Sequence, residues 1–247
     1  MVIAFKPDSC DTRPMTTTRR ERLRATTIVE IKDAALDQIA RDGAPALSLR
    51  GVARSIGMSP AGLYRYYDGR DALLTDLLTD AYSALADAVE EAIAATGGSA
   101  AERFAAGVRR YRTWAVEDPH RFLLIFGTPI PGYAAPENGP TVEANRRMGQ
   151  AFFVLAAEAM ADGTLHIPSG RPPTPGEEAF AAEIAPHLEL PAGAIGALLG
   201  TWAHWHGLVS LEVTDQFDWI YADDADAFFE GEIERMIVAL GFAPRPR

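Results

Sequence analysis

A chain of 247 residues, nearly half of them apolar, is long enough for a small domain and a larger one with a full core, which excludes a disordered polymer and a disulfide-stapled miniprotein. The net charge of −11 would argue against a nucleic-acid partner if it were uniform, but residues 1–72 carry 12 Lys+Arg against 9 Asp+Glu and residues 73–247 carry 11 against 25. Positive charge is thus confined to one end, as expected of an end that meets phosphate while an acidic remainder repels nonspecific contact.

The apolar start Val2-Ile3-Ala4-Phe5 is too short for a secretory signal, and no 18-residue apolar run follows. A single cysteine, Cys10, leaves no intrachain disulfide. These features lead us to expect a cytoplasmic protein without a membrane partner. Residues 1–24 are polar, hold two prolines and lack helical periodicity, so they read as a flexible basic arm. Arg19, Arg20, Arg22 and Arg24 cluster at its end, either to reach DNA or as a solvated tail, and Met15 is an alternative start.

From about Thr26 to Asp42, Ile28, Ile31, Ala35, Leu36 and Ile39 mark an amphipathic helix that Gly43 closes. Leu49, Val52, Ala53 and Ile56 then repeat at i, i+3, i+4 and i+7 behind the N-cap candidate Ser48. Gly57 suits a sharp stop, and Ser59-Pro60 is a fresh start signal. Two short helices so closely joined predict a helix-turn-helix, with a second helix from Pro60 to about Tyr67. Its inward residues are Leu63 and Tyr67. Its outward residues Pro60, Ala61 and Gly62 are small enough for close approach, Arg65 is suited to read a guanine, and Tyr64 to reach a phosphate. Tyr66 also faces outward.

The segment Gly57-Met58-Ser59 to Leu63-Tyr64-Arg65-Tyr66-Tyr67, followed by Arg70 and Leu73-Leu74, resembles the DNA-binding domain of the TetR family of transcriptional regulators. That family usually shows Leu-Tyr-x-His-Phe and a lysine three residues later. Tyr66 and Tyr67 replace the His-Phe pair here, and Arg70 stands where the lysine would be, a cation expected at the phosphate backbone. The resemblance covers roughly Thr26 to Leu74. It implies a DNA-binding set of Arg24, Ser48, Ser59, Pro60, Ala61, Gly62, Tyr64, Arg65, Tyr66 and Arg70.

Asp68-Gly69 leads into a long helix of roughly residues 70–95, placed to touch both domains. Gly97-Gly98-Ser99 breaks the chain. Helices of about Ser99 to Glu117 and of about Pro119 to Phe126 come next, then a loop to Pro140 with four prolines and three glycines. Thr141 to Ala161 reads as a helix, residues 163–190 as a proline-rich connection with at most a turn or two near Glu177 to Ile184, and Ala192 to Val213 and Asp223 to Leu240 as closing helices. With no convincing alternating run, the fold class is all-α: a three-helix DNA-binding domain at residues 25–72 and a larger helical domain at 73–243, about nine helices.

Trp205-His206-Gly207 and the run Tyr111-x-x-Trp114-Ala115 through Pro119, Phe122 and Phe126-Gly127 resemble a TetR-like C-terminal domain named for its Trp-His-Gly tripeptide. In that family this domain dimerises and holds an effector pocket. The small residues Gly193, Gly196, Ala197, Gly200 and Ala203, with Phe228, Phe229, Ile233, Met236 and Ile237, are candidates for half of a four-helix interface or for packing within one chain. Tyr111, Trp114, Phe122, Phe126, Phe152, Trp202 and His206 are candidates for the pocket lining or for ordinary core. His166, His187, His204 and His206 follow no metal-ligand spacing, and no phosphate loop or nucleophile elbow is present, so no metal, cofactor or catalytic residue is expected. The expected function is a ligand-responsive DNA-binding regulator, a homodimeric repressor released from a palindromic operator by a small molecule. The rival is a helical small-molecule-binding protein with a vestigial helix-turn-helix.

Overall fold

The computed structural model describes residues 18–137, 139–168, 170–184, 187–221 and 224–243. Its helices in chain order are α1 (Arg19–Asp42), α2 (Leu49–Ser55), α3 (Pro60–Leu63), α4 (Arg70–Ala95), α5 (Ala100–Glu117) and α6 (Pro119–Phe126). They continue with α7 (Pro140–Ala161), α8 (Pro175–Ile184), α9 (Ala192–Val213), α10 (Asp218–Tyr221) and α11 (Ala225–Leu240). A single turn of 3-10 helix, Ala44–Ala46, joins α1 to α2. Among the described residues there is no strand, only an isolated bridge between Leu165 and Phe242, and no helix is long and apolar enough to cross a membrane.

Polar start signals set several boundaries. Thr18 and Glu21 form a capping box at the head of α1, each side chain accepting from the other's backbone N–H. The helix therefore begins at Arg19 rather than near Thr26, and Arg19, Arg20, Arg22 and Arg24 lie on its exposed first turns instead of an arm. Apolar periodicity misses such turns because they bury nothing. The rest of the expected arm, residues 1–17, falls outside the described residues.

A second capping box, Ser99 with Glu102, starts α5, and Asp118 caps α6 ahead of Pro119. A third pair starts α8: the Glu177 N–H donates to the Thr174 hydroxyl (3.3 Å) and the Thr174 N–H to the Glu177 carboxylate (2.6 Å). That pairing lets ten residues of the proline-rich connection form a helix where only a turn or two is expected.

Two cores result, and α4 runs through both. Leu73, Leu74, Leu77 and Leu78 join Ile31, Ala35, Ile39, Leu49, Val52, Ala53, Leu63 and Tyr67 in the smaller one. Farther along, Ala81, Leu85, Ala86, Val89 and Ile93 enter the larger core with α5, α7, α9 and α11. The Leu124 side chain of α6 is buried in the smaller core although its neighbour Phe122 belongs to the larger.

Candidate functional site

The helix-turn-helix is assembled by short polar contacts around a small apolar centre. The Gln38 carboxamide of α1 accepts the Ser48 N–H (3.2 Å) and donates to the Ala46 carbonyl (3.3 Å), which fixes where α2 begins. The Ser48 hydroxyl caps α2 through the Gly51 N–H, and the Ser59 hydroxyl caps α3 through the Gly62 N–H (3.1 Å). Between the helices Gly57 takes φ +66°, in the left-handed region, with open space around it, so its requirement is purely conformational. Gly62 is needed for a different reason: a Cβ there would meet the Met58 side chain at 3.0 Å.

Regular α-helix ends at Leu63, but backbone bonds from the Tyr64, Arg65, Tyr66 and Tyr67 N–H groups continue the turn to Tyr67. The predicted outward face is outward: Pro60, Ala61, Tyr64 and Arg65 are exposed, and among the described residues no other side chain pairs with Tyr64 or Arg65. Tyr66 is half-buried, and the Arg24 guanidinium lies 5.0 Å over its ring centre, bringing the end of the basic cluster beside the turn. The Tyr67 hydroxyl donates to Asp76 of α4 (2.6 Å), anchoring the turn from below.

Arg70, expected at the phosphate backbone, is half-buried and turned onto the chain's own backbone. Its guanidinium donates to the backbone carbonyls of Leu47 (3.2 Å), Ala44 (3.1 Å) and Pro45 (3.3 Å), bracing the loop that leads into α2. A fork of donors gathers three carbonyls of one loop, of which that of Ala44 also accepts the Leu47 N–H (3.3 Å), and spacing along the chain does not disclose this. Conversely, Arg50 and Arg54 of α2, not singled out from sequence, are exposed and one helical turn apart. Their signal lay in the positions just off the Leu49 stripe.

In the larger core, Tyr111, Trp114 and Phe122 are buried. Tyr111 meets His206 at 2.7 Å between Oη and Nδ1. Burial pushes the Tyr111 hydroxyl well above its usual range and the His206 imidazole below its own, so a neutral phenol and a neutral imidazole share this hydrogen bond. Phe126 packs edge-on against the His206 ring at 4.7 Å, and Trp202 stacks on that ring at 4.9 Å.

A cleft of about 660 Å³ opens between α7, α8 and α9. Of the seven expected lining residues it is walled by Phe152 and Trp202 alone. Phe153, Phe180, Leu198 and Trp205 complete the wall, and α8, read from sequence as connection, supplies one side. Aromatics at helical spacing enter core and cavity alike, so only packing could sort them.

The expected four-helix interface divides in the same way. Phe229, Ile233 and Met236 are buried in the chain's own core, and a Cβ on Gly196 would collide with the Glu177 carboxylate of α8. Gly200 and Ala203 on α9 and Val238 on α11 are exposed, beside a buried Glu232 that contacts His204 (3.0 Å) and Arg235. Among the described residues no cluster of three or more His, Cys, Asp or Glu could hold a metal ion.

A family model described as bacterial regulatory proteins of the tetR family matches residues 31–77, and one described as the tetracyclin repressor-like C-terminal domain matches 104–236, over half of the chain. The chain belongs to the TetR family. The HTH-type transcriptional regulators Rv1816 of Mycobacterium tuberculosis and Mb1846 of Mycobacterium bovis are each 35% identical to it over 206 residues, covering 82% of this chain and 87% of theirs. The crystal structure of the regulatory protein SCO4313 aligns with 37% identity and a TM-score of 0.68, over 90% of this chain and all of that one. A TetR-family chain with this helix-turn-helix is a DNA-binding transcriptional regulator.

Proposed function

We propose that this TetR-family protein is a cytoplasmic homodimeric repressor, released from a palindromic operator when a small molecule enters the cleft between α7, α8 and α9. The observation that carries the reading is the exposed pair Tyr64 and Arg65, without a side-chain partner among the described residues, on a turn whose other side buries Leu63 and Tyr67. In this reading Arg65 reads a base edge, Tyr64 and the Ser48 and Ser59 hydroxyls reach phosphates, Pro60, Ala61 and Gly62 permit close approach, and Arg24 on Tyr66 adds charge beside them. Arg70 positions the loop. The DNA-binding unit runs past residue 72 into the first turns of α4, whose Leu73, Leu74, Leu77 and Leu78 enter its core, and the effector unit follows. Dimerisation uses the exposed parts of α9 and α11, presenting two recognition turns to half-sites about one helical turn apart.

Release would run through α6. Trp202 in the cleft wall stacks on His206, His206 packs on Phe126, and α6 in turn buries Leu124 in the DNA-binding core. A ligand that favours a shifted Trp202 would favour a shifted α6 and a different spacing of the recognition turns. The test is an electrophoretic shift on the chain's own upstream region. Arg65→Ala and Tyr64→Ala are expected to lose binding while keeping wild-type helix content, and salt-insensitive or absent binding by the wild type would leave a ligand-binding protein with a vestigial helix-turn-helix.

A further inference from the structure

We infer that the cleft between α7, α8 and α9 takes a neutral, largely apolar molecule of drug size that carries a hydrogen-bond acceptor. The inference rests on the effector reading above and names the class of ligand. Phe152, Phe153, Phe180, Leu198, Trp202 and Trp205 make the wall apolar, and the volume of about 660 Å³ lies in the range of small-molecule sites.

Charge decides between apolar ligand classes. Among the described residues the lining holds one arginine, Arg146, and one glutamate, Glu183, and these largely exposed side chains pair with each other at 3.8 Å. A fatty-acid carboxylate or a coenzyme A thioester would surrender hydration without finding an unmatched cation, and an ammonium would find Glu183 already matched. Asn145, Gln150 and His187 add polar atoms that suit an uncharged partner.

The acceptor is called for by two orphan donors. The indole N–H groups of Trp202 and Trp205 are buried without a hydrogen-bond partner among the described residues. An unpaired buried donor is costly, so a ligand that turns either ring onto a carbonyl or ether oxygen recovers that cost. Entry is possible because α8 buries none of its residues and meets α7 through a Phe153–Phe180 ring contact and the Arg146–Glu183 pair.

The probe is Nile red, neutral and apolar with a carbonyl acceptor, titrated into the full chain with tryptophan quenching and dye emission as readouts. One dye per chain is expected, with palmitate and palmitoyl-CoA displacing it only at more than tenfold higher concentration. Gly149→Phe should weaken dye binding at least tenfold with helix content unchanged, because a Cβ on Gly149 meets only the Phe153 ring, at 3.9 Å, and the larger side chain would fill the cleft. Trp202→Phe should weaken Nile red severalfold and leave pyrene, which has no acceptor, unaffected. Tighter binding of palmitoyl-CoA or palmitate overturns the inference, as does unaltered dye binding by Gly149→Phe. So does a change in that variant's solution mass without loss of dye, which would mean that a second copy covers the cleft. If the dye results hold and no cleft-bound compound releases DNA, the effector reading fails while the ligand class stands.

Discussion

Arg70 and Arg65 are both arginines at the edge of the same turn, and their surroundings give them opposite tasks. Three backbone carbonyls receive the Arg70 guanidinium, so Arg70→Ala should lower unfolding stability by about 2 kcal/mol, read from the denaturant midpoint. Arg70→Lys should restore only part of it, because an ammonium cannot fork between carbonyls. Arg65→Ala should leave that midpoint in place and weaken operator binding by roughly 1–3 kcal/mol, about five- to 150-fold, in a shift assay.

His206 makes a residue-scale statement about pH. Burial holds its imidazole below the ordinary 6.5, so as pH falls below that value the unfolded chain takes up the proton first. Its contribution is therefore present above about pH 6.5 and is lost as pH falls, and a melting series from pH 8 to 5.5 should decline less steeply in His206→Gln. At the other end Tyr111 resists ionisation, so its contribution holds below about pH 10 and fades as pH rises beyond it.

At the scale of elements, α4 and α6 are the parts that belong to two cores at once. The Tyr82 hydroxyl of α4 donates to the Ile125 carbonyl of α6 (3.2 Å), and Thr75 of α4 meets Tyr133 in the loop beyond α6 (3.0 Å). Removing the first contact should loosen the link without touching the DNA surface. Tyr82→Phe is expected to leave ligand-free operator affinity within about twofold while changing the ratio of affinities with and without saturating ligand by more, the coupling being worth on the order of 1 kcal/mol. An unchanged ratio would assign the transmission to α4 alone. Lys32 of α1, paired with Asp76 (2.9 Å) and Asp80 (2.7 Å) of α4, makes the DNA-binding unit follow any tilt of that helix.

For the whole molecule, the split of charge predicts how it meets DNA. Binding should weaken at least tenfold between 50 and 200 mM salt, as neutralised phosphates release counterions, and the acidic larger unit should add no nonspecific affinity of its own. Light scattering should give twice the chain mass, and Gly200→Glu, placing charge on the exposed α9 face where a Cβ meets nothing within 4 Å, should shift that mass toward the monomer with the fold intact.

What the sequence determined by itself is whatever depends on near neighbours in the chain. Apolar spacing of 3.6 residues, Ser48, Ser59 and Pro60 as caps, and Gly57 as a stop are local physics, so the all-helical class, the helix-turn-helix and its outward residues could be read directly. Tertiary structure decided the rest. It turned Arg70 inward onto the carbonyls of a loop more than twenty residues earlier, and it sent Tyr111 and Phe122 to the core while Phe180 and Leu198 walled the cleft. It also spent Gly196 on α8 and left Gly200 open. A buried aromatic, a paired arginine and a helical glycine have the same sequence signature whatever they face, because the period of a helix tells which residues share a side and the packing of other helices alone tells what lies opposite.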